Sequence, residues 1–153
     1  MPPIIHIRPF NLSDYDAVYA LWRRAGPGIH LRQSDTRAEI EKKLARDPDL
    51  FLVAEREGQI VGVVVGGWDG RRGLVYHLAV EPTYRRQGIG RALMEELERR
   101  LVAKGCLRCY LLVARDNREA IEFYRELGWE VMEGIVPMAK AFITDWGDLE
   151  DTL

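Results

Sequence analysis

Residues 83–92 read TYRRQGIGRA. Arg85 and Arg86 stand just ahead of Gly88 and Gly90, with Gln87 and Ile89 between and Arg91 behind. The stretch lies where a strand-like run gives way to a helical pattern. The first turn of a helix leaves several N–H groups unpaired and carries the positive end of the helix dipole. Glycines at that point permit unusual dihedrals and let the backbone come close to a ligand. The amides of residues 85–91, with three guanidinium groups beside them, therefore read as a seat for phosphate. The dipole alone contributes about 0.3–1 kcal/mol, so a polyphosphate needs several convergent amides and charges as well. Two common phosphate motifs do not fit. A nucleotide P-loop needs G-x-x-x-x-G-K-(S/T), and no such lysine is present. The dinucleotide fingerprint G-x-G-x-x-G needs glycine where Leu93 stands, and it follows a first strand, not a fourth.

Other residues with chemical potential are more scattered. Asn117 opens the helical stretch DNREAIEFYRELG at 116–128, where it or Asp116 can cap the helix. Tyr124 shares a face there with Ala120, Ile121 and Leu127, a spacing that by itself describes a core aromatic. Cys106 and Cys109 form a lone C-x-x-C without further ligands at zinc spacing, and read as two small packing residues. No metal site is expected.

The elements that must position these groups follow from periodicity. IIHIRPF at 4–10 alternates as a first strand. Ser13 can cap a helix over 14–25, which Gly26-Pro27-Gly28 stops. Thr36 and Glu39 have capping-box spacing ahead of a second helix ending at Asp47-Pro48. The period then becomes two. Residues 50–57 and 59–69 read as a hairpin turning at Gly58, and 73–80 as a further strand. The helix after the glycine loop runs to about Lys104, with Ile89, Leu93, Leu97 and Leu101 as its stripe. RCYLLVA at 108–114 is a central strand, and 129–143 reads as two closing strands, the second interrupted by Pro137. The order βααβββαβαββ predicts an α+β fold: a mixed, mostly antiparallel sheet of six or seven strands flanked by four helices. Residues 1–153 read as a single domain with an acidic tail at about 145–153.

Bulk properties exclude some partners. The chain has 153 residues, net charge −2 and 30% charged residues. Nucleic-acid binding favours a basic surplus, so nucleic acid is not expected. No apolar run approaches the roughly 20 residues of a membrane span, and the amino terminus lacks a signal-peptide core. A cytoplasmic protein is the expectation.

The glycine loop and its surroundings resemble one superfamily. Arg85-Arg86-Gln87-Gly88-Ile89-Gly90 matches the (Q/R)-x-x-G-x-(G/A) signature of the GNAT acetyl-CoA-dependent N-acetyltransferases. VEPTYRRQG, from Val80 to Gly88, extends the match, and NREAIEFYRELGW at 117–129 supplies the downstream block. Within that superfamily the chain is most similar to small bacterial members of the YpeA type. The resemblance implies acetyl-CoA as co-substrate. It implies that Leu78, Ala79 and Val80 pair with the pantetheine arm, and that amides of Arg85, Arg86, Gln87, Gly88, Ile89, Gly90 and Arg91 hold the pyrophosphate. It also implies that Asn117 contacts the cofactor and that Tyr124 is the general acid, with strands four and five splayed apart between them. The implied reaction is direct attack by a primary amine of a small molecule or peptide in a ternary complex.

The base is not implied so clearly. Ribosomal-protein alanine acetyltransferases carry a glutamate where Leu112 stands, and histone-type members carry one where Leu74 stands. Tyr76, His77, Glu81 or a water relay remain as alternatives. Acceptor choice is expected from residues 22–36 and the closing strands, with Trp68 and Asp69 as further candidates. Pro137 leaves an edge that a homodimer could cover. A catalytically silent acyl-CoA-binding module is the competing function.

Overall fold

The hairpin at the centre of the chain organises everything else. β2 (Phe51–Arg56) and β3 (Gln59–Trp68) turn at Glu57 and Gly58, whose φ angles are 52° and 78°. Two consecutive left-handed residues give a turn whose twist matches that of the strands. The computed structural model of the chain describes residues 4–26 and 28–146.

Around this hairpin the elements are β1 (His6–Pro9), α1 (Tyr15–Arg24), α2 (Arg37–Arg46), β4 (Gly73–Val80), α3 (Ile89–Ala103), β5 (Cys109–Leu111) and α4 (Arg118–Glu126). The sheet order is β1-β2-β3-β4-β5. Every pair is antiparallel except β4 with β5, which α3 connects in parallel. The fold is thus α+β with a mixed sheet and four helices.

Each face of the sheet has its own core. Phe51, Val53, Val63 and Val65 face α1 and α2, where Val18, Leu21, Trp22 and Ile40 close over them. Leu52, Ala54, Val64 and Val75 face α3 and meet Ile89, Leu93, Met94, Leu97 and Leu101. β2 is buried on both faces, which explains why its sequence is a continuous apolar run. Leu21, Phe51, Leu93 and Leu97 are fully buried, each worth about 1.5–3 kcal/mol over exposure.

Several expectations need correction. The sheet has five strands among the described residues, not six or seven. Residues 129–146 form no strand; Gly134 takes φ 77°, Pro137 has no N–H to give, and β5 offers only three residues to pair against. Apart from Trp129, which packs on Tyr124, their apolar side chains are exposed, Met138 and Phe142 each 92%. The strand expected at 108–114 shortens to Cys109–Leu111. The Thr36 hydroxyl does not cap α2: it donates to the Gln33 carbonyl at 3.1 Å, a nearer partner created by the 3-10 turn at Gln33–Asp35. Ser13 lies inside another 3-10 turn, Leu12–Asp14, and the Asp14 carboxylate accepts from the Asn11 amide instead, at 2.8 Å. Pro27 and the tail from residue 147 lie outside the described residues.

Gly66 shows how closely α3 packs on β3. A Cβ there would lie 2.5 Å from Leu97 Cδ1 and 3.1 Å from the Leu50 carbonyl oxygen. Gly66→Val is expected to cost about 1–3 kcal/mol by overpacking. Thermal denaturation should show this as a fall in Tm of roughly 3–10 °C.

Candidate active site

The pairing of β4 with β5 is short. It runs through Gly73 with Cys109, Leu74 with Tyr110 and Val75 with Leu111, and stops. Past that point the two strands share no ladder, and Leu112 is 84% exposed. A wedge therefore opens between Tyr76–Val80 on one side and the chain after Leu111 on the other.

β4 is also irregular at the mouth of this wedge. Val63 pairs with Ala79 and Val65 with Tyr76, so His77 and Leu78 together oppose Val64. This is a β-bulge, and His77 sits in it with φ 53°. A non-glycine residue held there is strained by about 1–3 kcal/mol, so its neighbours must hold it. They do. His77 Nε2 lies 2.9 Å from Asp35 Oδ1. Its ring meets Trp22 at 5.2 Å between centroids and Tyr76 at 5.9 Å. Asp35 is itself buried and fixed: its carboxylate accepts from the Arg32 amide at 2.9 Å, and its carbonyl accepts from the Tyr15 hydroxyl at 2.7 Å.

The glycine loop follows β4 directly. A 3-10 turn at Pro82–Tyr84 is closed by the Tyr84 amide on the Glu81 carbonyl at 2.8 Å. Arg86 and Gly88 then take φ 63° and 84°, and Gly88 is the N-cap of α3. The first bond of the helix ladder runs from the Ala92 amide to the Gly88 carbonyl at 3.0 Å. Among the described residues, no backbone carbonyl accepts from the amides of residues 85–91. Backbone N–H groups grouped at a helix start suit an anion.

The side chains of that loop divide their tasks. Arg85 is exposed but its guanidinium is engaged, donating to the Ala25 carbonyl at the end of α1. Arg24 of α1 donates to Glu81 at 2.8 Å, so two contacts fasten the loop to α1. Arg91 pairs with Glu95 at 2.9 Å one turn along α3. Arg86 and Gln87 are exposed. Leu78 and Val80 pack toward the α3 core, and Ala79 is buried in the other.

α4 approaches the same helix start. A Cβ at Gly90 would come within 3.3 Å of Phe123, the neighbour of Tyr124. Tyr124 packs edge-on against Phe123 at 5.1 Å and against Trp129 at 6.1 Å. Burial pushes its phenol up to about 12. Cys109 lies in the same apolar cluster and its thiol is pushed up to about 11, again mainly by burial. Asn117 caps α4, accepting from the Ala120 amide at 3.2 Å, and its Nδ2 lies close to Gly28.

Residues 15–129 match the Acetyltransferase (GNAT) family. The chain belongs to this family. An acetyltransferase of Pectobacterium atrosepticum is 43% identical over 141 residues, covering 92% of this chain and 98% of that one. An acetyltransferase of Sodalis glossinidius is 41% identical over the same coverage. The crystal structure of Ard1 from Thermoplasma volcanium superposes with a TM-score of 0.74 at 29% identity, over 84% of each chain. The PaiA N-acetyltransferase from Thermoplasma acidophilum, solved in complex with coenzyme A, has the same fold, with a TM-score of 0.73 at 22% identity over 86% and 93% of the two chains.

Two parts of this GNAT site escaped the sequence. The Asp35–His77 contact joins positions 42 residues apart, and nothing local announces it. The bulge left little trace: GLVYHLAV is an apolar run broken only by the adjacent Tyr76 and His77, and its alternation of burial through Tyr76 shows in the structure alone. Among the described residues, no group of three or more His, Cys, Asp or Glu could hold a metal ion, and no helix is long and apolar enough to cross a membrane.

Asn117 offers a direct check on how α4 is set. Asn117→Ala should lower stability by about 1 kcal/mol through the lost cap, and Asn117→Asp should keep most of it. Thermal denaturation of the three proteins reads the difference.

Proposed function

We propose that this GNAT chain transfers an acetyl group from acetyl-CoA to a primary amine of a small molecule or peptide, by direct attack with both substrates bound. The observation that carries this reading is the wedge beyond Val75 and Leu111, opening directly beside the uncommitted amides of residues 85–91. The loop fits the co-substrate: a left-handed Gly88 turns the chain so that successive N–H groups face one region, as a diphosphate requires. When bound, acetyl-CoA supplies the thioester carbonyl that the amine attacks.

The residues then have separable roles. Amides of Arg85 through Arg91 hold the diphosphate, and Arg86 adds charge. Arg85 contributes through its amide alone, because its side chain is engaged at Ala25. Leu78, Ala79 and Val80 present strand backbone to the pantetheine arm along the unpaired edge of β4. Asn117 caps α4 and borders the same region through its Nδ2. Tyr124 on α4 gives a proton to the departing thiolate.

For the base, the contacts favour His77. Glu81 is paired with Arg24. The Tyr76 phenol is raised above its ordinary value by desolvation, with Asp47 and Asp35 adding to the effect. His77 sits in the bulge at the wedge with Asp35 orienting its ring, the arrangement of a general base and its positioning partner. It takes the proton lost by the amine as the new C–N bond forms. The whole chain reads as one domain serving this reaction.

The test uses purified protein, acetyl-CoA and a panel of amines, with free thiol measured. Asparagine tolerates left-handed dihedrals, so His77→Asn should still fold, with stability lowered by about 1–3 kcal/mol through the lost Asp35 contact, yet lose about 10²-fold or more in kcat/KM. Tyr124→Phe should lose a comparable factor in kcat while calorimetry shows acetyl-CoA binding retained. Because burial raises the Tyr124 phenol, it keeps its proton as pH climbs, and wild-type activity should show no basic-side fall at pH 10. Tight coenzyme A binding without thiol release for any amine would leave the silent binding module as the correct reading.

A further inference from the structure

A cavity of about 390 Å³ opens on the α2 side of the sheet, beneath Tyr76. This is the small end of the roughly 300–1,000 Å³ range of ligand cavities. Its walls come from α2, from the β3–β4 turn, and from the adjoining parts of β4 and β5. Trp68, Tyr76 and Tyr110 give it three aromatic surfaces. The Tyr76 ring also meets His77 at 5.9 Å, so the cavity abuts the bulge at one end.

The charges around it do not cancel. Lys43 and Asp47 pair at 2.7 Å, with side chains only 15% and 7% exposed, and neutralise each other. Asp69 turns back on its own loop, where Oδ1 accepts from the Arg71 and Arg72 amides, both at 2.7 Å. Two guanidinium groups share the cavity with these carboxylates, Arg46 lying 4.0 Å from Asp47. Arg46 donates to the Trp68 carbonyl at 2.9 Å, which fixes it at the rim. Arg72 lies over the Tyr110 ring at 5.8 Å, and a guanidinium stacked on a ring can still donate at its edge. Three cations of the lining, Lys43, Arg46 and Arg72, thus face two carboxylates, Asp47 and Asp69, so the surplus is a single positive charge, and both guanidinium groups sit at the end away from the bulge.

We infer that this cavity receives the acceptor, and that the acceptor is an amine carrying a carboxylate, of amino-acid or short-peptide size. The inference rests on the transfer reading above. The amine reaches toward His77, the aromatic rings take the body of the molecule, and Arg72 with Arg46 binds the carboxylate. A guanidinium–carboxylate contact of this kind is charge-assisted and geometrically selective. Simple amines and polyamines lack the anionic group, and a second cation would be repelled by the same arginines.

Matched amines separate these possibilities. Phenylalanine is compared with phenethylamine, and β-alanine with ethylamine; each pair differs only by the carboxylate, and spermidine serves as the polycation. The carboxylate member should have the higher kcat/KM by roughly 10–100-fold. Arg72→Gln should cut kcat/KM for phenylalanine at least tenfold more than for phenethylamine. Arg71→Gln, on the same turn but outside the cavity, should change neither. Faster turnover of the decarboxylated amines or spermidine overturns the inference, as does a carboxylate preference that survives both Arg72→Gln and Arg46→Gln. A second measurement keeps the cavity testable if no amine is acetylated. The same pairs are titrated into the protein–coenzyme A complex, with tryptophan fluorescence compared between wild type and Trp68→Phe. A carboxylate-dependent change that vanishes in Trp68→Phe sustains the cavity and counts against transfer. Equal responses to both members of each pair overturn the cavity.

Discussion

A strand sends successive side chains to opposite faces of its sheet, and β4 breaks that rule once, at His77 and Leu78. Up to Val75 the odd positions face α3. Regular alternation would drive His77 into that apolar core and Ala79 with it. The inserted residue reverses the parity, so Ala79 packs on the α1 side and Leu78 and Val80 lean toward α3. Tyr76 and His77 consequently share one face, where Trp22, Asp35 and the cavity are found. The same irregularity coincides with the end of the β4–β5 ladder. The site therefore depends on one strained residue, and the buried Asp35 carboxylate is what makes that strain tolerable.

The glycine loop depends on a different support. Left alone, an exposed turn with positive φ at Arg86 and Gly88 would sample many conformations. Arg24 and Arg85 tie it to the carboxyl end of α1, where a guanidinium on the Ala25 carbonyl also meets the negative end of the helix dipole. Pre-ordering of this kind lowers the conformational entropy lost when a ligand is bound. It also joins the loop to the segment after α1, whose Gly28 lies beside Asn117. The three parts of the candidate site are thus in mutual contact, although they come from widely separated stretches of chain.

What the sequence disclosed and what it hid follow a physical line. Features governed by neighbours along the chain were legible: the Glu57-Gly58 turn, the stripe of α3, the Asn117 cap, and the glycines at a helix start. Features governed by distant partners were not. The Thr36 hydroxyl chose Gln33 because a 3-10 turn brought that carbonyl near. The apolar residues of 129–143 have strand-like composition, but a strand needs an edge to pair with, and β5 ends after three residues. His77 stood only as one of several alternatives for the base, since neither its left-handed backbone nor Asp35 can be seen locally.

In the proposed transfer, burial of Tyr124 does not by itself count against its protonating the departing thiolate. On its own, a phenol raised from 10 to about 12 is a poorer acid, and proton transfer to an ordinary thiolate becomes costlier. The thiolate, however, would form in the same apolar surroundings. Cys109 gauges that effect: within the same cluster its thiol rises from 9 to about 11, with desolvation again the largest cause. Desolvation thus raises the phenol and a thiol in these surroundings in the same direction. Burial therefore weakens the donor while making the acceptor a stronger base. It disfavours both anions, which holds the phenol in its protonated, donating form until a sulfur leaves nearby.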